Sequence, residues 1–81
     1  MNIRVLFFAQ LKDRFGESER MVNVNEGITV GRLSKQLLQE SGLSQYESLP
    51  IRYAVNERFV EPGVEIHDED VVALIPPVAG G

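Results

Sequence analysis

The chain has 81 residues and a mass of 9.1 kDa, room for one compact domain and no second. Apolar residues make up 43 %, enough for a core, and the absence of cysteine excludes disulfides, thiolate metal sites and a thiol nucleophile. Twelve acidic residues against eight basic ones leave a net charge of −4 and a pI near 4.8, which argues against nucleic acid and anionic membranes and favours a partner with a basic face.

Residues 3–9, Ile-Arg-Val-Leu-Phe-Phe-Ala, are rich in β-branched and aromatic side chains and predict a first strand. Met1-Asn2-Ile3-Arg4 enters that strand at once, so no signal peptide is expected. Residues 10–15 carry helix formers and stop at Gly16, a short helix. A second strand is expected over residues 19–24, with imperfect alternation through Met21, Val22 and Val24, and Glu26-Gly27 makes a turn. The clearest helix follows. Thr29 can cap it, Val30, Leu33, Leu37 and Leu38 form one apolar stripe, and Gly42 suits the position after its end. Gly31 in its first turn lowers helix propensity.

Residues 43–50 read as a loop with a possible helical turn at 45–47. A strand is expected at 51–55, a tight turn at Asn56-Glu57 or Glu57-Arg58, and a return strand at Phe59-Val60. Pro62-Gly63 marks another turn, and residues 71–75, all apolar, form the last strand, ended by Pro76-Pro77. The apolar run 71–78 contains two prolines and is far too short to span a membrane. Together with the absent cysteines, this predicts a cytoplasmic protein. One long helix among five strands predicts an α+β roll of β-grasp type: a mixed five-stranded sheet packed on one main helix, plus a short helix. Residues 1–75 would be the domain and 76–81 a flexible tail. One helix covers one face, so the other should be polar unless it binds something.

Conventional chemistry is hard to place. His67 is the only histidine. His67-Asp68-Glu69-Asp70 lacks the ligand spacing and turn glycine of a calcium loop and reads as a solvated turn. None of the six serines and threonines sits in a nucleophile elbow, and no glycine run forms a phosphate loop. No metal or bound cofactor is expected. The carboxyl terminus differs. After two stiff prolines, Gly80-Gly81 is the thinnest peptide that can enter a narrow channel. Terminal glycines can simply fray, but their coupling to Pro76-Pro77 and the fold pattern favours a functional end.

Those residues carry a resemblance over essentially the whole chain. Val5-Leu6-Phe7-Phe8-Ala9 with Lys12-Asp13 and Gly16, Thr29-Val30 with Leu33, Ala54-Val55-Asn56 with Val60, and Pro76-Pro77-Val78-Ala79-Gly80-Gly81 resemble the ubiquitin-like sulfur carriers of the molybdopterin synthase small-subunit (MoaD) type. The terminal hexapeptide is the specific part; the core positions report the fold. Glu69 departs from the pattern, because relatives often carry glycine in that turn. The resemblance implies that an E1-like adenylyltransferase uses ATP to turn the Gly81 carboxylate into an acyl-adenylate. A sulfur donor protein then displaces AMP, leaving a thiocarboxylate. The large synthase subunit, in a heterotetramer, would accept that group and pass its sulfur to cyclic pyranopterin monophosphate. The chain would be a carrier subunit without catalysis of its own, and the missing cysteine avoids a dead-end thioester. Pro76, Pro77 and Gly80 would thread the tail into the partner.

Alternation along the first strand places Leu6 and Phe8 with Arg4, and Ala54 with Arg52. With Phe59 in a short strand near a turn and Ile75 just before the tail, Leu6, Phe8, Phe59 and Ile75 are the expected partner interface on an uncovered sheet face. The other reading of this face is that some of them are core, since a shift of one residue in register reverses each assignment. The alternatives are a carrier for thiamin thiazole formation or tRNA thiolation, a ubiquitin-like modifier joined through Gly81 to lysines, and an interaction module with an inert terminus.

Overall fold

The computed structural model describes residues 1–77. Its strands are β1 (Asn2–Phe7), β2 (Glu19–Asn23), β3 (Arg52–Val55), β4 (Arg58–Val60) and β5 (Val71–Ile75), with helices α1 (Ala9–Phe15) and α2 (Val30–Glu40) and a 3-10 turn over Ser44–Ser48. They form one mixed sheet in the order β2-β1-β5-β3-β4. β1 and β5 run parallel, and every other neighbouring pair is antiparallel. The expected α+β roll is the observed architecture, with boundaries moved by one or two residues. Among the described residues no helix is long and apolar enough to cross a membrane.

Alternation decides the core. Ile3, Val5 and Phe7 of β1 and Val72 and Leu74 of β5 are buried, and they meet Val30, Leu33, Leu37 and Leu38 of α2 in one cluster. The imperfect pattern of β2 resolves in the same way: Val22 packs on the core while Met21 stands on the opposite face, 63 % exposed. The short helix α1 lays Phe15 on Phe7, their rings stacked at 4.1 Å. It ends at Gly16, whose φ of 78° is the left-handed conformation that glycine adopts without steric cost.

Both ends of α2 are closed by local chemistry. Thr29 Oγ1 accepts the Arg32 N–H at 3.3 Å. At the other end Gly42 N–H donates to Gln39 O and Leu43 N–H to Leu38 O, the paired bonds of a Schellman motif. Gly31, unfavourable by propensity, has a tertiary reason. Its N–H donates to Pro62 O at 2.9 Å, and a Cβ there would lie 3.0 Å from Pro62 Cβ. The Val30 N–H likewise reaches Val64 O. The Pro62-Gly63 turn is therefore pressed against the start of α2.

The hairpin between β3 and β4 turns at Asn56-Glu57, both at positive φ (51° and 69°). That geometry suits a two-residue hairpin of the right-handed twist, and asparagine tolerates it well. The acidic turn 67–70 is not merely solvated. Asp70 Oδ2 accepts the His67 N–H, and Asp70 Oδ1 accepts from Asn56 Nδ2, both at 2.8 Å. Asp68 Oδ1 accepts the Asn2 N–H. Glu69 holds φ 68° while its own N–H donates to Asn2 O. The acidic side chains tie the entry of β5 to β1 and to the hairpin, and the Asp70 side chain is only 14 % exposed.

Candidate functional site

The site begins with the position of the last strand. β5 lies in the middle of the sheet, held by β1 on one side and β3 on the other. Pro76 and Pro77 have no backbone N–H with which to continue the ladder, so the chain leaves the sheet at its centre. Pro76 is buried and Pro77 exposed, so packing extends one residue past the strand. Gly80 and Gly81 lie outside the described residues.

The register places the four expected interface residues on one face. Leu6 of β1 is opposite Ala73 of β5, Ala73 is opposite Ala54 of β3, and Ala54 is opposite Phe59 of β4. One row therefore reads Leu6, Ala73, Ala54, Phe59 from strand to neighbouring strand, each step about 4.8 Å. The two alanines are 9 % and 8 % exposed yet stand apart from the core cluster, being low between larger neighbours. In the next row Ile75 is opposite Arg52. Phe8 follows Phe7, whose parallel partner Leu74 precedes Ile75, so Phe8 and Ile75 are level at the chain exit. Phe8 is 45 % and Phe59 62 % exposed, and Leu6 and Ile75 are half-buried.

This face is apolar where neither helix covers it, and its charges are mostly cationic. Arg4 stands opposite Met21 and 4.0 Å from Glu19. Arg52 lies over the Phe59 ring with its guanidinium carbon 4.2 Å from the centroid, a cation–π contact. Beside Phe8, Ala9 takes φ 50°, which costs about 1 kcal/mol for a residue with a Cβ. The chain turns sharply there, so β1 ends at Phe7, Phe8 caps α1, and the expected strand residues Phe8 and Ala9 lie outside the strand. Sequence reasoning set Arg4 beside Leu6 and Phe8, and Arg52 beside Ala54, but did not single out Met21 for this surface. Only strand pairing shows that Arg52 stands beside the exit of β5, opposite Ile75, while Arg4 and Met21 lie at the other end of that strand, level with Val71.

An α-helix packed across one face of a five-stranded mixed sheet, with the first and last strands parallel at its centre, defines a ubiquitin-like β-grasp protein. The ThiS family model matches residues 5–81, and the chain belongs to that family. It is 33 % identical over 82 residues to the molybdopterin synthase sulfur carrier subunit of Mycobacterium tuberculosis, covering 100 % of this chain and 99 % of that one. A chain of the Helicobacter pylori complex of subunits 1 and 2 of molybdopterin-converting factor superposes with a TM-score of 0.69 at 27 % identity, with 100 % of both chains covered. SAMP1 of Haloferax volcanii superposes more closely, with a TM-score of 0.84 and 100 % of both chains covered, but at 24 % identity this likeness is one of fold alone.

Proposed function

We propose that the chain is the sulfur-carrying small subunit of a molybdopterin synthase and that its reactive group is the Gly81 carboxylate. The observation that carries this reading is the end-to-end match to a subunit of that name at 33 % identity. A carboxylate is a poor electrophile, because its charge repels nucleophiles and oxide is a poor leaving group. In this reading a Gly81 oxygen attacks the α-phosphorus of ATP on an E1-like adenylyltransferase, pyrophosphate leaves, and an acyl-adenylate forms. A sulfur nucleophile supplied by a donor protein at the oxidation level of sulfide adds to the carbonyl carbon and AMP leaves, so a thiocarboxylate replaces the carboxylate. The large subunit then takes up the tail, and the sulfur passes to cyclic pyranopterin monophosphate. The side chains that catalyse these steps belong to the partners. Leu6, Phe8, Phe59 and Ile75 dock the large subunit, and Pro76, Pro77 and Gly80 direct the terminus into it.

The geometry supports this division of labour. The apolar face and the chain exit are neighbours, so a subunit seated on the face meets the tail at once. The test is mass spectrometry of the carboxyl-terminal peptide after incubation with ATP, the cognate activating enzyme and a sulfur donor. The expected product has one oxygen of Gly81 replaced by sulfur. An unmodified terminus, when a known carrier is converted under the same conditions, rejects the reading. Gly80→Val should leave the melting temperature unchanged while slowing thiocarboxylate formation or sulfur delivery about 100-fold, because a reactive carbonyl displaced by about 1 Å loses that much rate. Lysine-linked conjugates of the chain in the same assay would instead indicate a protein modifier.

A further inference from the structure

We propose that Arg52, laid on the Phe59 ring beside the exit of β5, receives a carboxylate of the subunit that takes up the tail. This inference rests on the carrier reading above and deepens it by naming the chemistry of the partner surface at one point. The chain is acidic overall, at −4, and by net charge alone would seek a basic partner. Its uncovered face has the opposite character. Within the strands the carboxylate on this face is Glu19, which already faces Arg4 at 4.0 Å. Glu61, one residue past β4, lines a cleft with Arg52 and Phe59 but forms no ion pair with Arg52 among the described residues. Arg52 has no ion pair among the described residues.

Position and preparation both single out Arg52. It pairs across the sheet with Ile75, the last strand residue before the chain leaves, so it flanks the point at which Pro76 departs from the sheet. Its guanidinium is held 4.2 Å from the Phe59 centroid, and Phe59 is in turn level with Ala54 and Ala73 in the apolar row. An arginine lying on a ring still presents the N–H donors at its edge, in the fork that fits a carboxylate by two parallel bonds. Stacking also removes part of the rotational freedom that a binding partner would otherwise have to quench. Docking an apolar patch over this cation without a carboxylate would strip its water and leave it unpaired, which is strongly unfavourable. The partner surface that fits is therefore apolar with an acidic residue at its rim, placed beside the mouth that admits the tail.

The experiment measures binding of the full-length chain to the cognate molybdopterin synthase large subunit by titration calorimetry, at low and high salt. Arg52→Gln should weaken the complex on the order of 10-fold at low salt, by loss of charge-assisted hydrogen bonds. The loss should shrink as salt screens the pair. Arg52→Lys should recover only part of the affinity, because an ammonium lacks the planar fork. Arg52 is exposed, so the melting temperature of each variant should match that of the wild type. In a Phe59→Leu background, which keeps the apolar contact and removes the ring, the Arg52→Gln penalty should fall. Unchanged affinity and salt dependence in Arg52→Gln would overturn the proposal while leaving the carrier reading intact. A wild-type chain that does not bind the large subunit at all would overturn both. If the Arg52→Gln penalty disappears once residues 78–81 are deleted, the carboxylate is this chain's own terminus and the proposal falls. An undiminished penalty in the Phe59→Leu background would refute the part assigned to the ring.

Discussion

The two faces of the sheet are made from alternate residues of the same strands, and they differ in what covers them. On the helix side, Ile3, Val5, Phe7, Val72 and Leu74 are closed off beneath α2. On the other side, Leu6, Phe8, Phe59 and Ile75 are equally apolar by type, yet neither helix covers them, and two of them are substantially exposed. Hydrophobic content does not distinguish the faces. Coverage does. Burial of the first set stabilises the fold by about 25 cal/mol for each Å² of apolar surface removed from water. For the second set that gain is still available to a partner, which is the physical meaning of an apolar patch at the point where the chain leaves the sheet.

Truncation on the covered side should have the largest effect. Leu33, fully buried in α2, becomes a cavity in Leu33→Ala, with an expected loss of about 3 kcal/mol. For a domain of this size the melting temperature should drop on the order of 15 °C. A change of only a few degrees would mean that the helix-covered face is not the main source of stability. The mirror experiment is Phe8→Asp. Because Phe8 lies past the end of β1 and is 45 % exposed, stability should stay within about 0.5 kcal/mol of wild type. Binding to the large subunit should weaken by about 2 kcal/mol, as expected for an anchor replaced by an unpaired charge. Melting curves and calorimetric titrations on the same samples decide between the faces, and an unfolded Phe8→Asp would place that ring in the core.

The smallest effect sharpens the comparison from outside both faces. Glu69 sustains a left-handed backbone at φ 68° in the turn leading into β5. Glu69→Gly removes a strain of about 1–2 kcal/mol and adds a glycine entropy cost of about 0.5–1 kcal/mol. The expected net gain is about 0.5 kcal/mol, seen as a rise of a few degrees in the melting temperature, with no change in partner affinity. A loss of stability would mean that the Glu69 side chain contributes more to the turn than its backbone conformation costs.

Much of this was legible in the residues, for local reasons. The alternation of β1 separates Ile3, Val5 and Phe7 from Arg4 and Leu6, and a period of two is a property of the strand itself. Thr29, Gly16 and Gly42 mark helix ends because capping depends on near neighbours in the chain. Asn56-Glu57 and Glu57-Arg58 were harder to separate, since both fit a hairpin by length. The preference for asparagine at positive φ settles the choice in favour of the first. The 67–70 segment is the solvated turn that the sequence suggests at His67, Asp68 and Glu69, but the hydrogen bonds donated by Asn56 to Asp70 and by Asn2 to Asp68 join residues far apart in the sequence and were not legible in it.

What the sequence determined alone is therefore the local grammar: which segments are strands and helices, where each stops, and which side chains share a face. The resemblance carried by Pro76-Pro77-Val78-Ala79-Gly80-Gly81 belongs with that, since it is a feature of the chain itself. Only the tertiary structure decided that β5 enters between β1 and β3, for pairing is a long-range choice that no local propensity encodes. It also decided that Gly31 is needed where Pro62 presses on α2, and that Arg52 comes to rest on Phe59 beside Ile75. Strand order brings these groups together from four separate segments, and a surface assembled in this way exists only once the sheet has closed around its last strand.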